Sequence, residues 1–169
     1  MVKIIPNYVE KELGNFLNIK NNENKNMIHV SVKDTINAPA DTIWKTVGAI
    51  SNVEQYIPMI KSSTVQGSGL GAKRTCIVTN EKGEEMGKLE EDIIKFDDHA
   101  KTYSYAITSG PFPVENYIGT VKVTDLGSNT CELEWSSKCD AKGMDEKEVS
   151  NMLHSAYSSI LNELKKLHS

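Results

Sequence analysis

The chain has 169 residues, a net charge of −4 and 25% charged residues. A chain of this length buries roughly 70% of its unfolded surface, so it can hold a core without metals or disulfides as staples. Its charges are interspersed and no basic block occurs, which removes the electrostatic footprint of nucleic-acid binding. No apolar run reaches the roughly 20 residues that span a bilayer.

Residues 1–27 read as an N-terminal extension, and residues 28–169 as a single domain. In the extension, Ile5, Val9, Leu13, Phe16 and Leu17 have the spacing of a short amphipathic helix, ended by Gly14 or by the Asn/Lys-rich stretch 20–26. A frayed or docked tail is the plain reading; a lid or a dimer contact are the sharper ones. The extension lacks the uninterrupted apolar core of a signal peptide, so a cytoplasmic location is expected.

From 28 to 36, Ile28, Val30, Val32 and Ile36 alternate with polar residues, the period of a half-buried strand. Ala38 and Pro39 then open a helix carrying Ile43, Trp44 and Val47, proline being suited to a first helical turn. Ser51 and Glu54 have capping-box spacing and mark a second short helix, stopped by Pro58. Strand-like runs follow at 60–66, 72–79, 85–96, 101–108, 114–124 and 130–138, each gap filled by turn residues. In the last run Cys131, Leu133, Trp135 and Ser137 face one way. Of the chain's three cysteines, Cys76 and Cys131 fall in such runs and Cys139 directly follows the last, and all three read as buried thiols of a reducing compartment.

Asp145 caps the final element, with Glu148 three residues on. Val149, Met152, Leu153, Ala156, Ile160, Leu164 and Leu167 recur at three- and four-residue spacing, one face of a helix about 35 Å long. The fold class is therefore α+β: seven antiparallel strands in up-and-down order, two short helices after the first strand, and a long C-terminal helix. A sheet with a single such helix to bury has to curl around it. That geometry leaves a hollow.

An interior walled by Tyr103, Tyr105, Ile107, Tyr117, Val121, Leu133, Trp135 and the helix stripe is mainly apolar with a few phenol groups, the profile of a small-ligand site. Lys61 and Glu91 are the polar candidates, since an inward lysine can meet a carboxylate and an inward carboxylate can act as base or acceptor. An exposed strand salt bridge is the alternative for both. The alternation in 89–96 is blurred, so Glu90 competes with Glu91 for the inward position. His29, His99, His154 and His168 are scattered, no metal cluster or nucleophile–base pair can be drawn, and no metal or cofactor is expected.

Residues 38–47 (Ala-Pro-Ala-Asp-Thr-Ile-Trp-Lys-Thr-Val), 56–61 (Tyr-Ile-Pro-Met-Ile-Lys) and 71–74 (Gly-Ala-Lys-Arg) resemble the matching stretches of helix-grip proteins of the START-like superfamily. The chain is most similar to the polyketide cyclase/dehydrase-like branch and, more distantly, to the plant abscisic acid receptors. Against the receptors, Lys61 falls where they place a ligand-carboxylate lysine and Glu91 near a pocket glutamate. The turn Asn80-Glu-Lys-Gly-Glu84 lacks their Ser-Gly-Leu-Pro-Ala gate, and residues 110–116 lack their His-Arg-Leu latch.

The resemblance implies a curved sheet gripping the last helix and a ligand cavity between them. The candidate ligand-binding residues are then Lys61, Glu91, Tyr105, Phe112, Pro113, Asn116, Tyr117, Trp135, Met152, Ala156 and Ile160, with Glu91, Tyr105 and Tyr117 as catalytic candidates. Three functions follow as expectations: binding or transport of a small hydrophobic or amphipathic ligand (lipid, polyketide, isoprenoid or aromatic acid), a cyclase or dehydratase using the pocket carboxylate and tyrosines, or a protein-interaction domain. A homodimer is a further candidate assembly. A void of a few hundred cubic ångströms would suit a drug-sized ligand, and one of a few waters would suit an interaction role.

Overall fold

The computed structural model describes residues 27–169. The helix predicted within residues 5–17 lies outside them. Strand β1 (Ile28–Ile36) buries Ile28, Val30 and Ile36 and exposes His29, Ser31 and Lys33, as its alternation requires. Helix α1 (Ala40–Val47) follows with Pro39 at its N-cap, and its apolar face, Ala40, Ile43, Trp44 and Val47, is buried.

The second predicted helix is a single 3₁₀ turn, Val53–Gln55. A capping box needs an extended N-cap residue, but Asn52, which caps this turn, sits in the left-handed region with φ 55° and no side chain caps the turn. Glu54 accepts a hydrogen bond from the Ser63 hydroxyl instead of reaching back to its own turn.

Six strands then run β2 (Ile60–Gln66), β3 (Lys73–Thr79), β4 (Glu85–Asp97), β5 (Thr102–Ser109), β6 (Val114–Gly127) and β7 (Thr130–Ala141). β2 to β7 form an antiparallel meander. β1 departs from simple up-and-down order: it pairs with β7, so the sheet reads β1-β7-β6-β5-β4-β3-β2. The segment holding α1 and the 3₁₀ turn carries the chain from one sheet edge to the other. Along the way Trp44 Nε1 donates to Asp98 at 2.7 Å, Lys101 pairs with Asp41 at 3.1 Å, and Trp44 packs on Phe96 and Tyr103. These contacts shut the end of the fold where the β4–β5 turn lies.

Helix α2 (Glu146–Leu167) begins at Asp145, whose carboxylate accepts from the Lys147 backbone N–H at 3.1 Å. Glu146 and Glu148 in the first turn and Lys165 and Lys166 in the last complement the helix dipole. Its 22 residues span about 33 Å and lie across β1 and β7. Val149, Leu153, Tyr157, Ile160, Leu161 and Leu164 are buried there. The predicted stripe included Leu167, but this side chain lies at the helix end and is 46% exposed.

Bulges decide which strand side chains reach the interior. Lys61 is the extra residue between the pairs Ile60↔Val78 and Ser62↔Ile77. Ile94 is extra between Ile93↔Tyr105 and Lys95↔Ser104. Asn116 and Tyr117 together oppose the single residue between Lys138 and Asp140, with Asn116 at φ 53°. A bulge sends two successive side chains to one side or turns one of them out, so strict alternation fails there.

Candidate functional site

Between the sheet and α2 lies a cavity of about 120 Å³. The long helix leaves it open because the short side chain Ala156 stands between the larger Leu153 and Ile160 on the face turned to the sheet. Leu89, Ile107 and Trp135 wall the opposite side, and Ile57 and Met59 close the flank. The chamber continues outward into a vestibule of about 1100 Å³, the two sharing Ile57, Met59, Phe112, Met152, Ala156 and Ile160. The chamber alone is smaller than a drug-sized site, near the volume in which an engineered apolar cavity holds one benzene ring. Only chamber and vestibule together admit a larger guest.

One wall is a hydrogen-bonded chain of aromatic side chains. Trp135 Nε1 donates to Tyr105 Oη at 3.0 Å, Tyr105 and Tyr117 hydroxyls lie 3.2 Å apart, Tyr117 and Tyr157 2.6 Å apart, and Tyr157 donates to Ser137 Oγ at 2.5 Å. Indole N–H can only donate and each phenol carries a single proton. The direction is therefore set: each tyrosine accepts from the previous member and donates to the next. All three phenol protons are used inside the chain. What the wall can still offer is oxygen lone pairs.

The other polar feature is a buried ion pair. Arg74 Nε donates to Glu91 Oε2 at 2.6 Å, with the two side chains 2% and 5% exposed, and Arg74 Nη1 donates to the Ile50 carbonyl at 3.1 Å. The guanidinium also lies over the Tyr105 ring, 5.3 Å from its centroid, a cation–π distance. Both residues line the chamber. Among the described residues the buried Tyr56 hydroxyl has no hydrogen-bond partner, while the Tyr103 hydroxyl interacts with the Arg74 guanidinium.

Burial raises the phenols of Tyr56, Tyr103, Tyr105 and Tyr117, and pushes Tyr157 up to about 12, because a phenolate would lose its hydration. The Cys76 thiol on the chamber wall is pushed up to about 12 for the same reason, so it is a neutral apolar surface at physiological pH. For the tyrosines the sign is simple. The folded protein binds these protons more tightly than the unfolded chain, whose phenols ionise near pH 10. Their contribution to stability is complete below that pH and falls as the pH rises above it. In an alkaline titration followed by tyrosinate absorbance, these five phenols are expected to stay neutral past pH 10 and to ionise together in a step coincident with loss of helical circular dichroism. Independent ionisation near pH 10 without unfolding would show them solvated.

Most of the predicted site residues meet at this cavity: Glu91, Tyr105, Phe112, Tyr117, Trp135, Met152, Ala156 and Ile160 line the chamber, and Pro113 stands at the vestibule. Glu91, not Glu90, is the inward carboxylate; Glu90 is exposed and accepts from Ser109. Two predicted residues are misplaced. Lys61 points to solvent, its side chain 60% exposed and paired with Glu85 at 2.9 Å, because it is the bulged residue beside inward Ile60. Asn116 is turned outward by its own bulge and bonds Asp140 at 2.9 Å.

Sequence reasoning missed Arg74 and Tyr157. Arg74 alternates in phase with the buried Cys76 and Val78, and Tyr157 sits four residues after Leu153 and three before Ile160. Both signals were present in the spacing. Among the described residues no group of three His, Cys, Asp or Glu could hold a metal, and no helix is long and apolar enough to cross a membrane.

A curved antiparallel sheet gripping one long helix, with a cavity between them, defines a helix-grip protein of the START-like superfamily. Residues 27–168 match the family described as polyketide cyclase/dehydrase and lipid transport, and the chain belongs to that family. Several solved structures share the fold. An uncharacterized protein from Bacillus thuringiensis is 28% identical, with a TM-score of 0.73 over 83% of this chain and 98% of its own. The Zhui aromatase/cyclase from Streptomyces sp. R1128 is 17% identical, with a TM-score of 0.69 over 83% and 93%. Norcoclaurine synthase from Thalictrum flavum, solved with dopamine and hydroxybenzaldehyde, is 18% identical, with a TM-score of 0.67 over 88% and 90%. No curated protein matches the chain.

Proposed function

We propose that the protein binds and carries a small, mainly apolar molecule that bears a hydroxyl or enol group, lodging that end in the chamber and the remainder in the vestibule. The observation that carries this reading is the directed chain from Trp135 to Ser137. With every phenol proton committed, the Tyr105 and Tyr117 oxygens can accept a hydrogen bond from a guest without breaking a link. A guest carbonyl could accept from one of these phenols only by displacing a link of the chain. Apolar walls supply most of the affinity and the oxygens supply orientation. Phenols, hydroxylated polyketides and prenyl or sterol alcohols have the required chemistry. The phenolic ligands in the norcoclaurine synthase structure are in keeping with it.

Holding is favoured over turnover by the state of Glu91. Its carboxylate is engaged by the Arg74 guanidinium at 2.6 Å, so it is not a free base facing the guest. Native mass spectrometry of the full chain purified from its own host is expected to show one organic adduct per chain, released by solvent extraction. Ala156→Trp, which fills the chamber, is expected to remove the adduct while the protein stays folded. A bare parent chain, or an adduct unaffected by Ala156→Trp, would overturn the proposal.

A further inference from the structure

An organic acid that enters an apolar cavity carboxylate-first needs a counter-charge there, because a buried anion without one is strongly disfavoured. Among the described residues, Arg74 and Glu91 are the only charged side chains on the chamber wall, so Arg74 is the one cation such an acid could meet. Its charge is already neutralised. The Arg74 Nε donates to Glu91 at 2.6 Å, Nη1 donates to the Ile50 carbonyl at 3.1 Å, and the guanidinium face lies on the Tyr105 ring. Lys61, the lysine expected to meet a ligand carboxylate, stands outside the cavity and pairs with Glu85. The phenols of Tyr105, Tyr117 and Tyr157 give their protons along the chain to Ser137, so they hold no donor for an anion either.

A guest carboxylate in the chamber would have to share one guanidinium with Glu91, which puts two like charges on a single buried cation. We propose that Glu91 is a specificity-determining residue that filters guests by charge: with Arg74 neutralised, the chamber takes the neutral hydroxyl end of an alcohol or phenol and rejects the carboxylate of a fatty or aromatic acid. This rests on the hydroxyl-binding reading of the same chamber and gives the ion pair a selective role beside its structural one. The filter acts on the inner end of the guest alone, since the vestibule beyond is wide and has Lys142 on its wall.

The test is titration of the full chain at neutral pH with phenol, benzoate and toluene, followed by the Trp135 indole N–H resonance in NMR spectra. Phenol is expected to bind the parent chain about tenfold more tightly than benzoate, the ratio set by one hydrogen bond gained against one charge left unpaired. Glu91→Gln keeps the shape of the side chain and leaves the Arg74 charge without its partner. This variant is expected to bind benzoate about tenfold more tightly than the parent does. Adding Ala156→Trp, which fills the chamber, is expected to remove that gain. Equal affinities of the parent for phenol and benzoate would overturn the proposal without need of any variant. A folded Glu91→Gln chain with no gain for benzoate, or a gain that survives Ala156→Trp, would overturn it too. Failure of the hydroxyl-binding reading looks different: toluene would then bind the parent as tightly as phenol, with the rejection of benzoate left standing. Binding of none of the three would overturn both.

Discussion

Arg74→Ala is expected to cost about 3–5 kcal/mol of stability. Arg74 is among the largest fully buried side chains of the fold, and its guanidinium serves three partners at once: Glu91, the Ile50 carbonyl and the face of Tyr105. Truncating it strands the Glu91 carboxylate, only 5% exposed, in an apolar wall with no counter-charge. The penalty for an uncompensated buried charge exceeds the net worth of the pair, because pairing itself has to overcome two desolvation costs. Replacing both members together, Arg74→Met with Glu91→Leu, is therefore expected to recover most of the loss. Urea unfolding of the two single variants and the double variant, combined as a double-mutant cycle, measures this directly. A single Arg74→Ala costing under about 1 kcal/mol would mean that water reaches the pair, contrary to its burial.

Gly119→Ala is expected to damage the same wall, and its cause is steric. Gly119 sits opposite Tyr105 in the β5–β6 ladder, and a Cβ there would come 2.3 Å from Tyr105 Cζ and 2.5 Å from its hydroxyl oxygen. The ring cannot swing away cheaply, since Trp135 and Tyr117 hold its hydroxyl while Arg74 covers its face. Overpacking of this kind costs about 1–3 kcal/mol. The functional loss is expected to be larger than the stability loss, because a displaced Tyr105 breaks the hydrogen-bond chain at its second member. Ligand affinity is expected to fall about tenfold or more while the thermal midpoint drops by only several degrees. A wild-type affinity in Gly119→Ala would show that the chain from Trp135 does not orient the guest.

The two substitutions also mark where sequence pattern was and was not enough. Alternation in β7 and helical spacing in α2 placed Trp135, Ala156 and Ile160 on the cavity, because both elements are regular over their whole length. The same alternation in β3 pointed at Arg74, which stood in a quoted motif without being read as an inward charge. Tyr157 was lost by reading the helix stripe as aliphatic. Lys61 and Asn116 failed for a different reason: each lies in a bulge, which the pairing of two distant segments creates and which no single run of residues announces. Glu90 and Glu91 were indistinguishable in sequence because β4 meets a bulge at each end of the stretch from Glu90 to Lys95, one of them on the partner strand β5. The far-edge pairing of β1 is also a tertiary fact, set by how α1 and the 3₁₀ turn carry the chain across the closed end.

Size is the feature that most constrains function. About 120 Å³ admits one ring or a short branched chain, so the proposed guest would enter it by one end only. Its remainder would meet Ile57, Met59 and Phe112, which line both chamber and vestibule. Such a site can select one end group and tolerate variation in the rest.

Whether that chamber exists as an empty, accessible space is what a crystal pressurised with xenon reports most directly, since xenon enters apolar voids without needing any specific contact. One ordered xenon atom bounded by Trp135, Leu153 and Ala156 is the expected result. A chamber without xenon, with the side chains of Met152 or Leu153 turned in to fill it, would contradict the account at its root.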